Sequence, residues 1–119
     1  MRYAVLLAYP PSLWRDATDD QRTAYHRAHL AFHDAVGARG RLVAGEALAD
    51  ADAATTLRHV EGRPVLSDGP FAETAEQLGG LYLVDAPDLD VMTALCELLP
   101  QPYSVEIRPV VDVEGSETR

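Results

Sequence analysis

The sequence predicts an α+β fold, ferredoxin-like βαββαβ with an inserted β-hairpin, and three observations carry that prediction. Short apolar runs at 3–9, 41–48, 80–85 and 103–111 have the length of strands. Two longer stretches, 18–39 and 88–99, repeat their apolar residues at helical spacing. Between the second and third runs, 55–67 divides at Glu61-Gly62 into two short halves, which is the pattern of a hairpin. With right-handed crossovers this order places both helices on one face of a single sheet.

The first run, Tyr3 to Tyr9, is apolar throughout and ends at Pro10-Pro11, as suits a strand buried on both faces. Thr18 and Gln21 have the spacing of a capping box and open the first helix, which runs to about Arg39. Tyr25, Ala28, Phe32, Ala35 and Val36 share one arc of it, Arg27 and Asp34 lie opposite, and Gly40 suits the position that closes it. Arg41 to Leu48 reads as the second strand and Asp50 to Ala54 as a polar loop. Ser67 to Leu78 is a loop rich in turn residues, followed by a strand from Gly80 to Asp85. Asp88 is the expected cap of the second helix, which carries Val91, Met92, Leu95, Leu98 and Leu99 on one face with Asp90 and Glu97 opposite and is stopped by Pro100. The last strand alternates Tyr103, Val105 and Ile107 against Ser104, Glu106 and Arg108. Residues 1–111 form the expected domain, and 112–119 an acidic, flexible tail.

Both alternating sets of the first strand are apolar, and two helices cover only one sheet face. The other face needs a partner, most simply a second copy, so a homodimer is expected.

The 119 residues suffice for one domain with its own core. A formal charge of −9 argues against nucleic acid or an anionic membrane as partner, since both select clustered positive charge. All ten basic residues are Arg. The absence of Lys removes Schiff-base chemistry, a pyridoxal phosphate anchor and the P-loop lysine together. The bias toward Arg and Ala also suggests a GC-rich bacterial gene. One Cys, Cys96, makes no internal disulfide and sits among apolar helix positions, where a thiol is unreactive. The apolar start is too short to span a bilayer and lacks a cleavage site, so a cytoplasmic protein is expected.

His26, His29 and His33 fall on one side of the first helix. Three ligands from one helix close poorly on a tetrahedral metal and no HExxH pattern is present, so no metal is expected. His26 and His33 read as surface residues. His29 lies at the edge of the buried face beside Tyr25 and Val36, where an imidazole must find a partner. It is either a general acid/base in a pocket or a satisfied structural histidine. Asp68-Gly69-Pro70-Phe71 is the densest turn signal, which anchors Phe71 if it is purely structural. Glu73, Glu76 and Gln77 follow on the same loop, and acids gathered on a loop point to binding. Arg108 and Glu106 share a strand face, as a pocket-lining pair or an exposed ladder. Gly79-Gly80 precedes a strand, so it is no phosphate cradle. Ser67 lacks the GxSxG context of a hydrolase nucleophile.

DGPFAET at 68–74, EQLGG at 76–80, Tyr82-Leu83-Val84 and Val105-Glu106-Ile107-Arg108-Pro109 resemble the DGPF group of YCII-related proteins. The resemblance runs from the first strand to about Val110 and implies a dimeric α/β barrel of ferredoxin-like protomers. It also implies a His–Asp pair in a cleft, carried onto His29 in its His-Leu-Ala context and onto Asp68, as a catalytic dyad. Ala75 stands where the DGPF pattern has Lys. The family further suggests a link to extracytoplasmic-function sigma factors. The expected function is therefore a cofactor-free proton-transfer enzyme of isomerase or lyase type. His29 and Asp68 are its expected catalytic residues, and Phe71, Glu73, Glu76, Gln77 and Arg108 its ligand contacts. A ligand-binding regulatory accessory and an inert structural dimer are the alternatives.

Overall fold

The computed structural model describes residues 1–113; the expected tail lies, from residue 114 onward, outside the described residues. Six strands and three helices follow in the order β1 (Arg2–Tyr9), α1 (Ser12–Arg15), α2 (Asp19–Arg39), β2 (Arg41–Ala47), β3 (Thr55–Val60), β4 (Arg63–Asp68), β5 (Gln77–Asp85), α3 (Leu89–Cys96) and β6 (Ser104–Pro109). A single 3₁₀ turn, Ala51–Ala53, interrupts the loop after β2. The main sheet is antiparallel in the order β2-β5-β1-β6, so each helical crossover skips one strand. That is the ferredoxin-like arrangement the sequence predicts. β3 and β4 form a separate two-stranded sheet, the inserted hairpin. Its turn residues Glu61 and Gly62 have φ of 52° and 79°, the left-handed pair that a two-residue hairpin turn requires.

The helix starts lie where the sequence places them. Thr18 Oγ1 accepts from the Gln21 N–H at 3.1 Å while Gln21 Oε1 accepts from the Thr18 N–H at 2.9 Å, completing the capping box. Asp88 Oδ1 accepts from the Val91 N–H at 2.9 Å.

Four other details depart from the sequence reading. α1 is an additional short helix. Gly40 ends α2 in extended backbone, with φ of −171°. It is required by close approach instead, because a Cβ there would meet the Asp85 carbonyl oxygen at 2.1 Å. α3 stops at Cys96, before the expected Leu99. Pro100 has no N–H for the Cys96 carbonyl and its ring collides with that carbonyl, so the chain leaves the helix a turn earlier. β5 starts at Gln77, three residues before the expected strand.

The core lies between the helices and one sheet face. Tyr3, Val5 and Leu7 of β1 and Tyr82 and Val84 of β5 meet Phe32 and Val36 of α2 and Met92 and Leu95 of α3. The opposite face carries Ala4, Leu6, Leu81 and Leu83, half-exposed at its centre. At one end of that face Asp85 accepts from Arg2 and Arg41, at 2.9 and 3.2 Å, which ties β5 to the strands on either side. The Arg2 hydrogen bond is the main cause, with Arg41 adding to it, of an Asp85 carboxyl held down to about 2. No helix among the described residues is long and apolar enough to cross a membrane.

Candidate functional site

A cleft of about 810 Å³ opens between α2 and the β2 edge of the sheet. His29 stands inside it, where the edge of the buried helical face meets the sheet. Three aromatic residues from distant elements converge on the same place. Tyr82 faces the helix from β5, Tyr103 precedes β6, and Trp14 is delivered by α1. Proline at 10 and 11 ends β1 and starts α1, whose single turn swings the indole over α2. Trp14 lies edge-on to Tyr25 and to His26, each with centroids 5.1 Å away.

His29 Nδ1 lies 2.7 Å from Tyr82 Oη, and Nε2 lies 2.9 Å from Tyr103 Oη. Tyr82 Oη is also 2.9 Å from His33 Nε2, and Trp14 Nε1 donates to Tyr103 Oη at 2.9 Å. The polar tips of Trp14, His29, Tyr82 and Tyr103 therefore each have a partner, as burial demands. Burial, and then the nearby His33 and His26, lowers the His29 pKa below its ordinary value of 6.5, which favours the neutral imidazole. Burial raises the Tyr82 hydroxyl and pushes Tyr103 up to about 12, so both phenols stay protonated.

Two glycines make room for these rings. A Cβ at Gly45 on β2 would lie 2.6 Å from the Tyr82 ring. One at Gly79 would lie 2.2 Å from the Tyr9 hydroxyl, which donates to the Gly79 carbonyl at 3.2 Å. Tyr9 in turn stacks on Tyr103, with centroids 4.6 Å apart. Gly79 is thus a packing requirement of the cleft wall. Arg15, paired with Asp50 at 3.1 Å, and Arg22, bonded to the Trp14 and Arg15 carbonyls, stand at the cleft margin.

Only part of the expected site assembles here. Of the seven expected site residues, His29 and Gln77 line the cleft. Asp68 and Glu73 line a second hollow of about 440 Å³, which Gln77 also borders. The expected His29–Asp68 pair is not made within the chain, because both His29 nitrogens are engaged by tyrosines. Asp68 is held at the base of the hairpin by the bend that follows it. There the Gly69 N–H donates to the Ala54 carbonyl at 2.7 Å, Thr56 Oγ1 donates to the Gly69 carbonyl at 2.8 Å, and Gly69 adopts φ of 101°. Phe71 is 79% exposed and not anchored in the core, although its carbonyl accepts from Arg58. Glu76 accepts from Ser104 at 2.8 Å, Gln77 Nε2 ties the loop to the Ala72 and Thr74 carbonyls, and Arg108 pairs with Glu106 on the same strand.

The sequence reading missed Tyr82, Tyr103, Trp14 and His33 as members of the site. His33 is half-buried and bonded, not a plain surface residue. The available signal was a tyrosine within β5 and another just before β6, both facing a helix that carries histidines, since a buried phenol needs a hydrogen-bond partner. Cys96 is buried and its thiol is pushed up to about 11, well away from reactivity. Among the described residues no group of three His, Cys, Asp or Glu side chains converges on a point.

The lowered His29 pKa makes stability depend on pH with a definite sign. The unfolded chain takes up this proton near pH 6.5 while the folded chain resists it. The contribution of His29 is therefore complete above pH 6.5 and is lost as pH falls from there through the lower folded value. Thermal melts from pH 7.5 to 5 should show the wild type losing more of its Tm than His29→Gln, and parallel curves would contradict this.

A family model described as YCII-related domain matches residues 1–114. An uncharacterized protein of Rhizobium meliloti (strain 1021) is 43% identical over 75 residues, which cover 60% of this chain and 60% of that relative. The match thus spans about three fifths of the relative's own length.

Proposed function

The chain belongs to the YCII-related family, and from that premise we propose that its cleft is the active site of a cofactor-free enzyme of isomerase or lyase type. The reaction moves a proton on a small planar molecule that carries an acidic C–H beside a carbonyl group. The observation that supports this reading is the His29 imidazole held between two phenol hydroxyls, at 2.7 and 2.9 Å, inside a cleft of small-molecule size. Such a site holds an acid (the phenol O–H) and a base (the imidazole) in one connected file. The aromatic lining of Trp14, Tyr9 and Tyr103 favours a flat, largely apolar substrate. Because both imidazole nitrogens are occupied, Tyr103 is the hydroxyl offered to the substrate and His29 acts from behind it.

A homodimer joined through the open sheet face belongs to the same proposal. The half-exposed Ala4, Leu6, Leu81 and Leu83 support it, and sedimentation at twice the chain mass of 12.9 kDa is its expected readout.

The chemistry is tested by incubating the protein in D₂O with a panel of aryl-substituted keto acids and β-dicarbonyl compounds and following the loss of substrate C–H signals by NMR. Accelerated exchange or isomerisation is the expected result. Saturable stabilisation of the protein without exchange would replace the enzyme with a ligand-binding accessory. No effect of any compound on melting or exchange would leave a structural dimer.

A further inference from the structure

The hydrogen bonds about His29 form one file from Trp14 to His33, and the donor at its head sets the direction of the rest. An indole N–H donates and cannot accept. Trp14 Nε1 donates to Tyr103 Oη at 2.9 Å, so the Tyr103 hydroxyl hydrogen is left to point at its other described partner, His29 Nε2, at 2.9 Å. A neutral imidazole has one N–H. With Nε2 accepting, the hydrogen sits on Nδ1 and is donated to Tyr82 Oη at 2.7 Å. The Tyr82 hydroxyl then donates to His33 Nε2 at 2.9 Å. In this polarity each hydrogen has one acceptor. In the reverse polarity Trp14 and His29 both donate to the Tyr103 oxygen, and the Tyr103 hydrogen has no acceptor within the file.

We infer that Trp14 is a positioning residue that holds His29 in the Nδ1–H tautomer and so makes the file a one-way proton relay from Tyr103 to His33. The inference rests on the acid–base reading of the cleft. A proton leaving the substrate carbon joins Tyr103 Oη while the hydroxyl proton passes to His29 Nε2. The Nδ1 proton passes to Tyr82 Oη, and the Tyr82 proton to His33 Nε2. Each intermediate group ends neutral, the carbon's electron pair remains on the substrate as an enolate, and the positive charge appears on His33. That residue is half-buried on α2 at the cleft wall, one turn beyond His29, where its partly exposed ring can pass the proton to solvent. The other ionisable groups bordering the cleft are Tyr9 of β1, stacked on Tyr103, His26 and Arg22 on α2, the Arg15–Asp50 pair and Glu46 on β2. The buried phenols keep their protons, as donors in such a file must.

Long-range ¹H–¹⁵N spectra of the full chain labelled with ¹⁵N-histidine, recorded near pH 8, read the tautomer directly. The expected wild-type spectrum has a protonated Nδ1 and an unprotonated Nε2 on His29. Trp14→Phe should convert this single tautomer into a mixture, and so should Tyr103→Phe, which tests the same lock if the first variant does not fold. A wild-type Nε2–H tautomer, or a pure Nδ1–H form in the variant that folds, overturns the inference. The tautomer is read without substrate, so the two proposals fail separately. An inert protein with Nδ1–H keeps the Trp14 tautomer lock but loses the enzyme and with it the relay, whereas an active one with Nε2–H loses only the lock and the relay.

Discussion

Phe32→Ala should reduce the unfolding free energy by about 3–5 kcal/mol, the usual cost of emptying a fully buried aromatic site. Phe32 has no exposed surface and is among the largest side chains wholly enclosed by the core. Its ring packs on Tyr82 with centroids 4.8 Å apart, so it supports the cleft as well as the fold. For a chain of this size the loss corresponds to a fall in Tm of roughly 10–20 °C. Phe32→Leu, which leaves a smaller cavity, should fall between the variant and the wild type. Urea denaturation of the three proteins measures the series, and a Phe32→Ala loss below about 1 kcal/mol would place this ring outside the core. The variant should also release the Tyr82 ring from its place beside His29 and His33, so ligand binding should weaken even at temperatures where the protein remains folded.

His29→Gln should reduce kcat/KM by about 10²- to 10⁴-fold on any substrate the exchange screen identifies, the range expected when a general acid/base is removed. Glutamine can still bond one tyrosine, but its amide neither accepts nor releases a proton at neutral pH. The loss should fall on kcat with KM little altered, since the aromatic lining that binds the substrate is untouched. Tyr103→Phe should produce a loss of the same kind by removing the hydroxyl offered to the substrate. Circular dichroism must show both variants folded before rates are compared, because a half-buried polar group left without its partner is itself destabilising. A His29→Gln enzyme within threefold of wild type would end the acid–base reading.

The parts of this architecture carried by local chemistry were readable from the chain. Thr18 with Gln21, Asp88, and Glu61-Gly62 each act through atoms a few residues away, so their spacing alone located two helix starts and a turn. α1 escaped because four residues are too few to display a period. The start of β5 escaped because Gly79 and Gly80 weaken the strand pattern, while the reason for Gly79, the ring of Tyr9, comes from another strand. The candidate site divides in the same way. His29 stood out through its place on a helix face. Its partners Tyr82 and Tyr103 are 53 and 74 residues away in sequence, and only the sheet order brings them together. Asp68 drew attention by a strong local turn pattern, and that same pattern holds it in the second hollow.

The excursion from β2 to β5 begins and ends at one spot, since the Leu48 N–H donates to the Gly79 carbonyl at 2.9 Å across its base. The segment from 49 to 76, hairpin included, is closed there and tied further by the Arg15–Asp50 and Ser104–Glu76 contacts, while the four-stranded sheet is complete without it. For a lineage of such proteins this is a cassette. Its length and lettering can change at little cost in loop closure, because the ends already meet. Phe32, Tyr82 and the helices hold the hydrogen-bonded file about His29 on the other side of that joint. Through Ala49, Asp50 and Ala51 the cassette still contributes one lip of the cleft. Changes within the cassette can therefore reshape that lip while the file about His29, which none of its residues joins, stays in place.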